Sequence, residues 1–207
     1  MRAMILTAVT CLIPAVAFAP PAEPLITSAP SGQYSIVQNL NSDANINGYD
    51  ENNVLRFRDK SKPDVILKAP TAVDAWGPHS RGVVNLVYAA DYVLSPDEQW
   101  IIRDQKVGAG CNVLILYRVE PNGRVQRFVL NRLAFDCIGL APDHYGHMGV
   151  QFVSWDIPSG VVHLEVGATQ GGRWSSARQA LLPDKNAYPD IDRPVTYDLK
   201  KHRMSAE

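Results

Sequence analysis

Two polar turns set among apolar runs constrain the fold of this chain more than any other feature. Ser95-Pro96-Asp97 has the composition of a β-turn, because Pro96 fixes its own φ and Asp97 can hydrogen-bond nearby backbone. Pro121-Asn122-Gly123 is a strong hairpin signal. β-branched and aromatic residues flank both turns, in the runs Trp100–Ile102 and Val113–Val119. The stretch from Tyr92 to Val125 is therefore predicted to form antiparallel strands joined by short turns, with Trp100 substantially buried.

Similar runs elsewhere predict further strands, about ten in all. They cover residues 34–38, 54–58, 65–68, 83–94, 150–155, 161–167 and 194–199. One helix is expected around Leu130 to Gly139, where apolar residues have helical spacing and Gly139 can close the helix in the left-handed conformation. We therefore predict a mainly β domain with one inserted helix. Its architecture is expected to be a propeller-like antiparallel meander or a twisted sheet pair, with a compact sandwich as the alternative.

The N-terminus has the pattern of an export signal: Arg2, then a short apolar run, then Ala15-Val16-Ala17. We expect a signal peptide over residues 1–17, a Pro/Ala/Ser-rich linker over 18–32 and a single β-rich domain over 33–207. The apolar run is too short to cross a bilayer, so no transmembrane segment is expected in the mature chain. The protein is accordingly predicted to be periplasmic or secreted.

Composition and charge narrow the possible partners. The chain has 207 residues, of which 46% are hydrophobic, and a formal net charge of −1. This content suits one globular domain with a substantial core. The balanced charge lacks the basic excess that nucleic acids or anionic membranes attract, so neither is expected as a partner. The expected partner is an unknown protein or envelope component.

The cysteine count suggests a disulfide. Cys11 would be lost with the signal peptide, which leaves Cys111 and Cys137 as a pair in an oxidising compartment. We predict a bond between them that fastens the helix onto the sheet. The alternative is two separate buried thiols, each packing as a small apolar side chain.

Two loops carry candidate binding residues. Trp76 and Arg81 lie in a loop over residues 69–82, and Arg173 and Trp174 lie in a long polar loop over residues 168–192. Tryptophan and arginine are common at recognition surfaces, so these four residues are predicted to bind a partner. The alternative is that each tryptophan packs back onto the core.

No catalytic set emerges from the sequence. Asp43, Asn45 and Asn47 match the opening of a calcium loop, but Val54 stands where the bidentate Glu is required, so a polar turn is expected. His144 and His147 have no obvious third metal ligand nearby. No catalytic residue, metal or cofactor is predicted. The alternative is a small hydrolase or metal-dependent enzyme using the Cys137–His147 region.

A local resemblance accompanies the central turn. The strand followed by Ser95-Pro96-Asp97-Glu-Gln-Trp100 is similar to blades of the periplasmic Tol-system β-propeller and of prolyl oligopeptidase propeller domains, with a weaker echo at Phe152–Leu164. The chain also resembles small secreted bacterial β-proteins that open with Tyr-Ser-Ile-Val-Gln, here residues 34–38. These resemblances imply propeller-like strands and supply no activity. We therefore expect an exported, non-enzymatic binding domain.

Overall fold

The computed structural model describes residues 23–39, 53–76, 88–108, 111–141, 145, 147–169, 173–175, 180–182 and 189–207. These residues form three four-stranded antiparallel sheets, a two-stranded ribbon and two helices. The mainly β prediction is confirmed. Among the described residues, no helix has the length and apolar character needed to cross a membrane.

The N-terminal sheet contains β1 (Leu25–Ser28), β2 (Tyr34–Gln38), β3 (Asn53–Phe57) and β4 (Val65–Leu67), paired in that order. The strand predicted at 34–38 is confirmed as β2. β1 lies inside the segment expected to be a linker, where Leu25, Ile26 and Thr27 pair with the outer edge of β2. The prolines around it obscured this short β-forming run.

The central sheet contains β5 (Asp91–Leu94), β6 (Trp100–Gly108), β7 (Cys111–Val119) and β8 (Val125–Val129), again in order. Both predicted turns are present. The Ser95 hydroxyl accepts a 2.9 Å bond from the Trp100 backbone N–H and donates to Asp97, which closes the first turn. Gly123 has a φ of +85°, which explains the need for glycine in the second. The strand expected over residues 83–94 begins at Asp91, and residues 83–87 lie outside the described part.

The C-terminal sheet has the order β14-β13-β10-β9. Its strands are β9 (His147–Asp156), β10 (Val161–Thr169), β13 (Ile191–Asp198) and β14 (Arg203–Ala206). The ribbon of β11 (Arg173–Ser175) and β12 (Ala180–Leu182) lies between β10 and β13 in the sequence. β14 was not predicted, because its basic start, Lys200–Arg203, suggested a frayed end. A turn capped by Asp198 instead returns the chain along β13.

The predicted helix is confirmed as α2 (Leu130–Ile138), closed by Gly139 at a φ of +69°. Its buried residues are Leu130, Asn131, Ala134 and Phe135. Asn131 is fully buried although it is polar, which the apolar spacing does not predict. The Asn131 side chain accepts a hydrogen bond from Leu114 N–H at 2.7 Å and donates one to the Asn112 carbonyl at 2.8 Å. A second, short helix, α1 (Ala72–Trp76), forms where only a loop was expected.

The central sheet lies between the other two and is buried on both faces. One face packs against the N-terminal sheet through residues such as Ile101 and Ile115. The other face packs against α2 and the C-terminal sheet through Trp100, Ile102 and Leu116. Successive residues of β6 thus enter different cores, as the period of a strand requires.

This layering explains why the predicted disulfide is wrong. Cys111 and Cys137 form no disulfide. Cys111 packs at the core beside the N-terminal sheet, and Cys137 packs at the core beside the C-terminal sheet. The central sheet therefore separates the two sulfur atoms.

Most of the hairpin turns of the three sheets lie at one end of the molecule, and the other connections between strands lie at the opposite end. We call one end the turn end: it carries the short hairpin turns at residues 29–33, 58–64, 95–99, 120–124, 157–160 and 199–202. We call the other the loop end. The connections that join there are β2–β3, β4–β5, β6–β7, β8–β9 and β10–β13.

Candidate functional site

The β4–β5 connection at the loop end is held by buried side chains at its start. Arg103 Nη1 donates a hydrogen bond to the Leu67 carbonyl at 3.1 Å. The Tyr117 hydroxyl donates to the Lys68 carbonyl at 3.2 Å. Both side chains come from the central sheet and are about 1% exposed. Leu67, the last residue of β4, and Lys68, which follows it, are therefore both bonded to the neighbouring sheet.

The far end of the same connection is held in the same way. Gln105 Nε2 donates to the Tyr88 carbonyl at 2.9 Å. Gln38 donates to the Ala90 carbonyl at 2.7 Å and accepts from the Ala90 N–H at 2.9 Å. The two ends of this long connection are thus each held by hydrogen bonds from buried side chains to their backbone. We call Gln38, Arg103, Gln105 and Tyr117 the polar clamp.

The clamp is itself a satisfied network. Gln105 Oε1 accepts hydrogen bonds from Arg103 Nη2 at 2.7 Å and Nε at 3.3 Å. The Tyr117 hydroxyl also accepts hydrogen bonds from Arg103 and Arg127. Burial raises the pKa of Tyr117, although the nearby guanidinium groups oppose the rise. Tyr117 therefore stays a neutral hydroxyl that can donate to Lys68.

Tyr92 and Asn53 form a further buried hydrogen bond beside the polar clamp, between the central and N-terminal sheets. Asn53 Nδ2 donates to the Tyr92 hydroxyl at 2.7 Å. Burial is the largest cause of a raised Tyr92 pKa, so this hydroxyl is also neutral at physiological pH. Asn53 Oδ1 is buried without a hydrogen-bond partner among the described residues.

Helix α1, within the connection, is fastened to β8. Arg127 Nη2 donates to Asp74 Oδ2 at 2.7 Å. The same oxygen accepts from Thr71 N–H at 2.8 Å, while the Thr71 hydroxyl accepts from Asp74 N–H, a reciprocal N-terminal cap. Burial alone would raise the pKa of Asp74, but these hydrogen bonds outweigh it and hold the pKa below its ordinary value. The carboxylate is therefore charged at neutral pH.

The topology assigns the predicted binding residues to loop-end connections. Trp76 is the last residue of α1. Arg81 lies outside the described residues, between α1 and β5 in the sequence. Arg173 and Trp174 belong to β11, where they pair with Leu182 and Leu181 in the β10–β13 connection. The four residues thus come from two connections whose flanking strands end on the same side of the molecule.

The residues that were weighed as possible metal ligands are described only in part. Asp43, Asn45, Asn47 and His144 lie outside the described residues, and His147 is the first residue of β9. Across the described part of the chain, no three His, Cys, Asp or Glu side chains are grouped so as to hold a metal ion. An enzyme site in the Cys137–His147 region stays a prediction.

A second polar group occupies the opposite face of the central sheet. Asn112 Nδ2 donates to Asp104 Oδ1 at 2.8 Å and to the Val150 carbonyl at 2.9 Å, which links the central and C-terminal sheets. Burial raises the pKa of Asp104; the Asn112 bond opposes the rise and the charge of Asp91 adds to it. A Cβ on Gly149 would lie 1.7 Å from Asn112 Oδ1, so only glycine permits this approach.

The clamp residues were not identified from the sequence. Arg103 and Gln105 belong to an unbroken run of polar residues, Arg103–Lys106, which is typical of a solvent-exposed strand end. The signal that could have found them is their position in a strand flanked by strands on both sides. In a sheet covered on both faces, such polar side chains are buried and must find partners.

Comparisons with known proteins add little. Neither a protein-family model nor a curated protein sequence matches this chain. Among solved structures, one described as AtxE2 isopeptidase in its apo form is similar to it with a TM-score of 0.40 and 12% sequence identity. The match covers 89% of this chain and 28% of that one, so this chain spans less than a third of that protein's length.

Proposed function

We propose that this protein is an exported, non-enzymatic β domain that binds a protein or another envelope component through its loop end. Trp76, Arg81, Arg173 and Trp174 are the proposed contact residues. The proposed location is the periplasm or the extracellular space, because Arg2, the apolar run and Ala15-Val16-Ala17 have the pattern of an export signal.

The polar clamp is the observation that carries this proposal. Four side chains bond the backbone at both ends of the β4–β5 connection, and Arg127 bonds α1 to β8. Recognition loops bind best when a rigid scaffold fixes them before the partner arrives, because less freedom is lost on binding. The clamp supplies such a base for the connection that contains Trp76 and Arg81.

We further propose that the three sheets are propeller-like blades, related to those of small secreted bacterial β-proteins. Each is a four-stranded antiparallel meander, and neighbouring sheets pack face to face. The Ser-Pro-Asp-x-x-Trp sequence that resembles propeller blades forms the β5–β6 turn of the central sheet. Superposition of each sheet on a propeller blade would support this relationship if all four strands coincide in position and twist; sheets that do not superpose would remove it.

Affinity capture from the envelope of the producing cell tests the binding proposal. The exported protein, immobilised, should retain a partner that the double variant Trp76→Ala/Arg81→Ala or Arg173→Ala/Trp174→Ala loses. Arg124→Ala, which removes an exposed arginine at the turn end, is the matched control and should retain the partner. Urea unfolding curves establish that every variant is folded.

Two outcomes contradict the proposal. Retention that is equal for the wild type and both loop-end double variants would exclude these residues as contacts. Loss of the partner with Arg124→Ala alone would move the contact surface to the turn end. Export is tested separately: the N-terminal sequence of protein recovered outside the cytoplasm should begin at Phe18, or at Pro20 if the overlapping second site is cleaved, whereas cytoplasmic protein that keeps Met1 would disprove export.

A further inference from the structure

The turn end contains a cleft of about 720 Å³ between the N-terminal and central sheets. Its sides are the β3–β4 turn of one sheet and the β5–β6 and β7–β8 turns of the other. The volume is typical of sites for small ligands. The cleft lies at the opposite end from the proposed partner surface, so it requires an explanation of its own.

The floor of the cleft is apolar and firmly packed. Tyr34 and Phe57 are each 4% exposed and meet edge to face, with ring centroids 6.3 Å apart. Val119 completes the floor from the central sheet. The Tyr34 hydroxyl donates to the Glu98 carbonyl at 2.9 Å, so the ring is fastened across the two sheets. Such a floor favours the apolar part of a ligand.

The two walls differ in charge. Arg58 and Lys62 stand on the wall from the N-terminal sheet, and Asp97, Glu98 and Glu120 stand on the wall from the central sheet. Asp59 shares the first wall, but its carboxylate accepts from both the N–H and the hydroxyl of Ser61 in its own turn. Within the described part of the chain, no ion pair joins the two walls. The cleft thus has a cationic side, an anionic side and an apolar base.

Hydrogen bonds hold the anionic wall in place. Both oxygens of Glu98 accept bonds from Ser31, one from its N–H at 2.7 Å and one from its hydroxyl. Asp97 accepts from the Ser95 hydroxyl and from the Gln99 N–H. Lys62 is also positioned, since its ammonium lies 5.5 Å from the centre of the Phe57 ring. The charges are therefore arranged before any ligand arrives.

We propose that this cleft binds short peptides with free termini. The N-terminal ammonium lies against the anionic wall, the C-terminal carboxylate lies against Arg58 and Lys62, and apolar side chains rest on Tyr34 and Phe57. A ligand with one charge can match one wall only, whereas an unblocked peptide presents both charges with an apolar part between them. An extended tripeptide is about 10 Å long, which is short enough for a cleft of this size.

Calorimetric titration of the exported protein with Leu-Phe-Leu tests the proposal. The unblocked peptide should bind, and its N-acetyl and C-amide forms should each bind at least about threefold more weakly, because each has lost one terminal charge. Raising the salt concentration should weaken the unblocked peptide most.

Two variants identify the walls. Arg58→Gln should reduce the difference between the free-acid and amide peptides, and Glu120→Gln should reduce the difference between the free-amine and acetyl peptides. Arg124→Gln makes the same charge change as Arg58→Gln, on an exposed residue that does not line the cleft, and should leave both differences intact. Equal binding of all three peptides, absence of binding, or unchanged differences in both wall variants would overturn the proposal. These results are independent of whether the loop end binds a partner.

Discussion

The guanidinium of Arg103 lies 3.1 Å from the carbonyl oxygen of Leu67, on the adjoining sheet, at a position that is 1% exposed. A buried guanidinium has a large desolvation cost and is tolerated only where its donors find acceptors. Here the acceptors include a backbone carbonyl at the start of the β4–β5 connection. The same bond therefore joins two sheets and fixes the beginning of a loop.

Replacement of Arg103 by methionine should lower the free energy of unfolding by about 2–4 kcal/mol. The Leu67 carbonyl and Gln105 Oε1 each lose a donor, and an unsatisfied buried acceptor costs about 1–3 kcal/mol. Urea denaturation measures the change. Arg132→Met is the control: this arginine is 54% exposed on α2, so it should change stability by no more than about 0.5 kcal/mol. Equal effects of both substitutions would contradict a structural role for the clamp.

Trp100→Ala should destabilise the protein by about 3–5 kcal/mol, the usual cost of removing a buried tryptophan. The prediction that Trp100 is buried is confirmed: it is 6% exposed and lies beside Phe128, with ring centroids 6.5 Å apart. Thermal or urea unfolding measures the loss. Val153→Ala, at a side chain 56% exposed on β9, should be nearly neutral. An unchanged melting temperature for Trp100→Ala would mean that this core is assigned incorrectly.

Asp104→Asn should stabilise the protein more at neutral than at acidic pH. Because burial raises the Asp104 pKa above that of the unfolded chain, the folded state holds the proton more tightly. The stability that this provides is complete below the ordinary carboxyl pKa and is lost as pH rises through the raised value. Asparagine does not titrate, so the melting-temperature difference between variant and wild type should grow from pH 3 to pH 7.

Asp198→Asn should behave in the opposite way. Hydrogen bonds from the Lys201 backbone and side chain and from Lys200 N–H lower the pKa of Asp198, although partial burial opposes them. Its contribution is present above the ordinary carboxyl pKa and is lost as pH falls through the lowered value. This variant should therefore be destabilised at pH 7 and approach the wild type at low pH. The same trend with pH in both variants would refute one of the two assignments.

Gly149→Ala should destabilise the protein by about 1–3 kcal/mol, the usual cost of overpacking. The added methyl group would displace the Asn112 side chain, which bonds both Asp104 and the Val150 carbonyl. In an Asn112→Ala background the obstruction is gone, so Gly149→Ala should cost much less. A double-mutant cycle measures this coupling. Strictly additive effects would show that the two residues do not meet.

Local chemistry could be predicted from the sequence. The turns at Ser95–Asp97 and Pro121–Gly123, the end of α2 at Gly139 and the burial of Trp100 each depend on a few neighbouring residues. The buried face of α2 was harder to predict from the sequence. Asn131 is buried because its amide forms hydrogen bonds with the backbone of Asn112 and Leu114, on the part of β7 that β8 does not pair with. The spacing of apolar residues along a helix gives no information about such a partner.

Features that depend on how the sheets stack could not be predicted. The polar clamp could be predicted only if it were known that the Arg103 side of β6 faces another sheet rather than water. The disulfide prediction is wrong for the same reason. The cysteine count favoured a bond between Cys111 and Cys137, but the two residues lie at different cores. Sequence spacing alone does not specify which core a side chain enters.

The order in which the sheets leave the ribosome has a consequence for aggregation. Each sheet is a contiguous part of the chain, at 25–67, 91–129 and 147–206, so its strands pair over short distances. The face of the central sheet that carries Ile101 meets residues made before it. The face that carries Trp100 and Leu116 meets residues made after it. Until residues 147–206 emerge, that second apolar face has only α2 to cover it, and its remainder is the surface that a chaperone would have to shield.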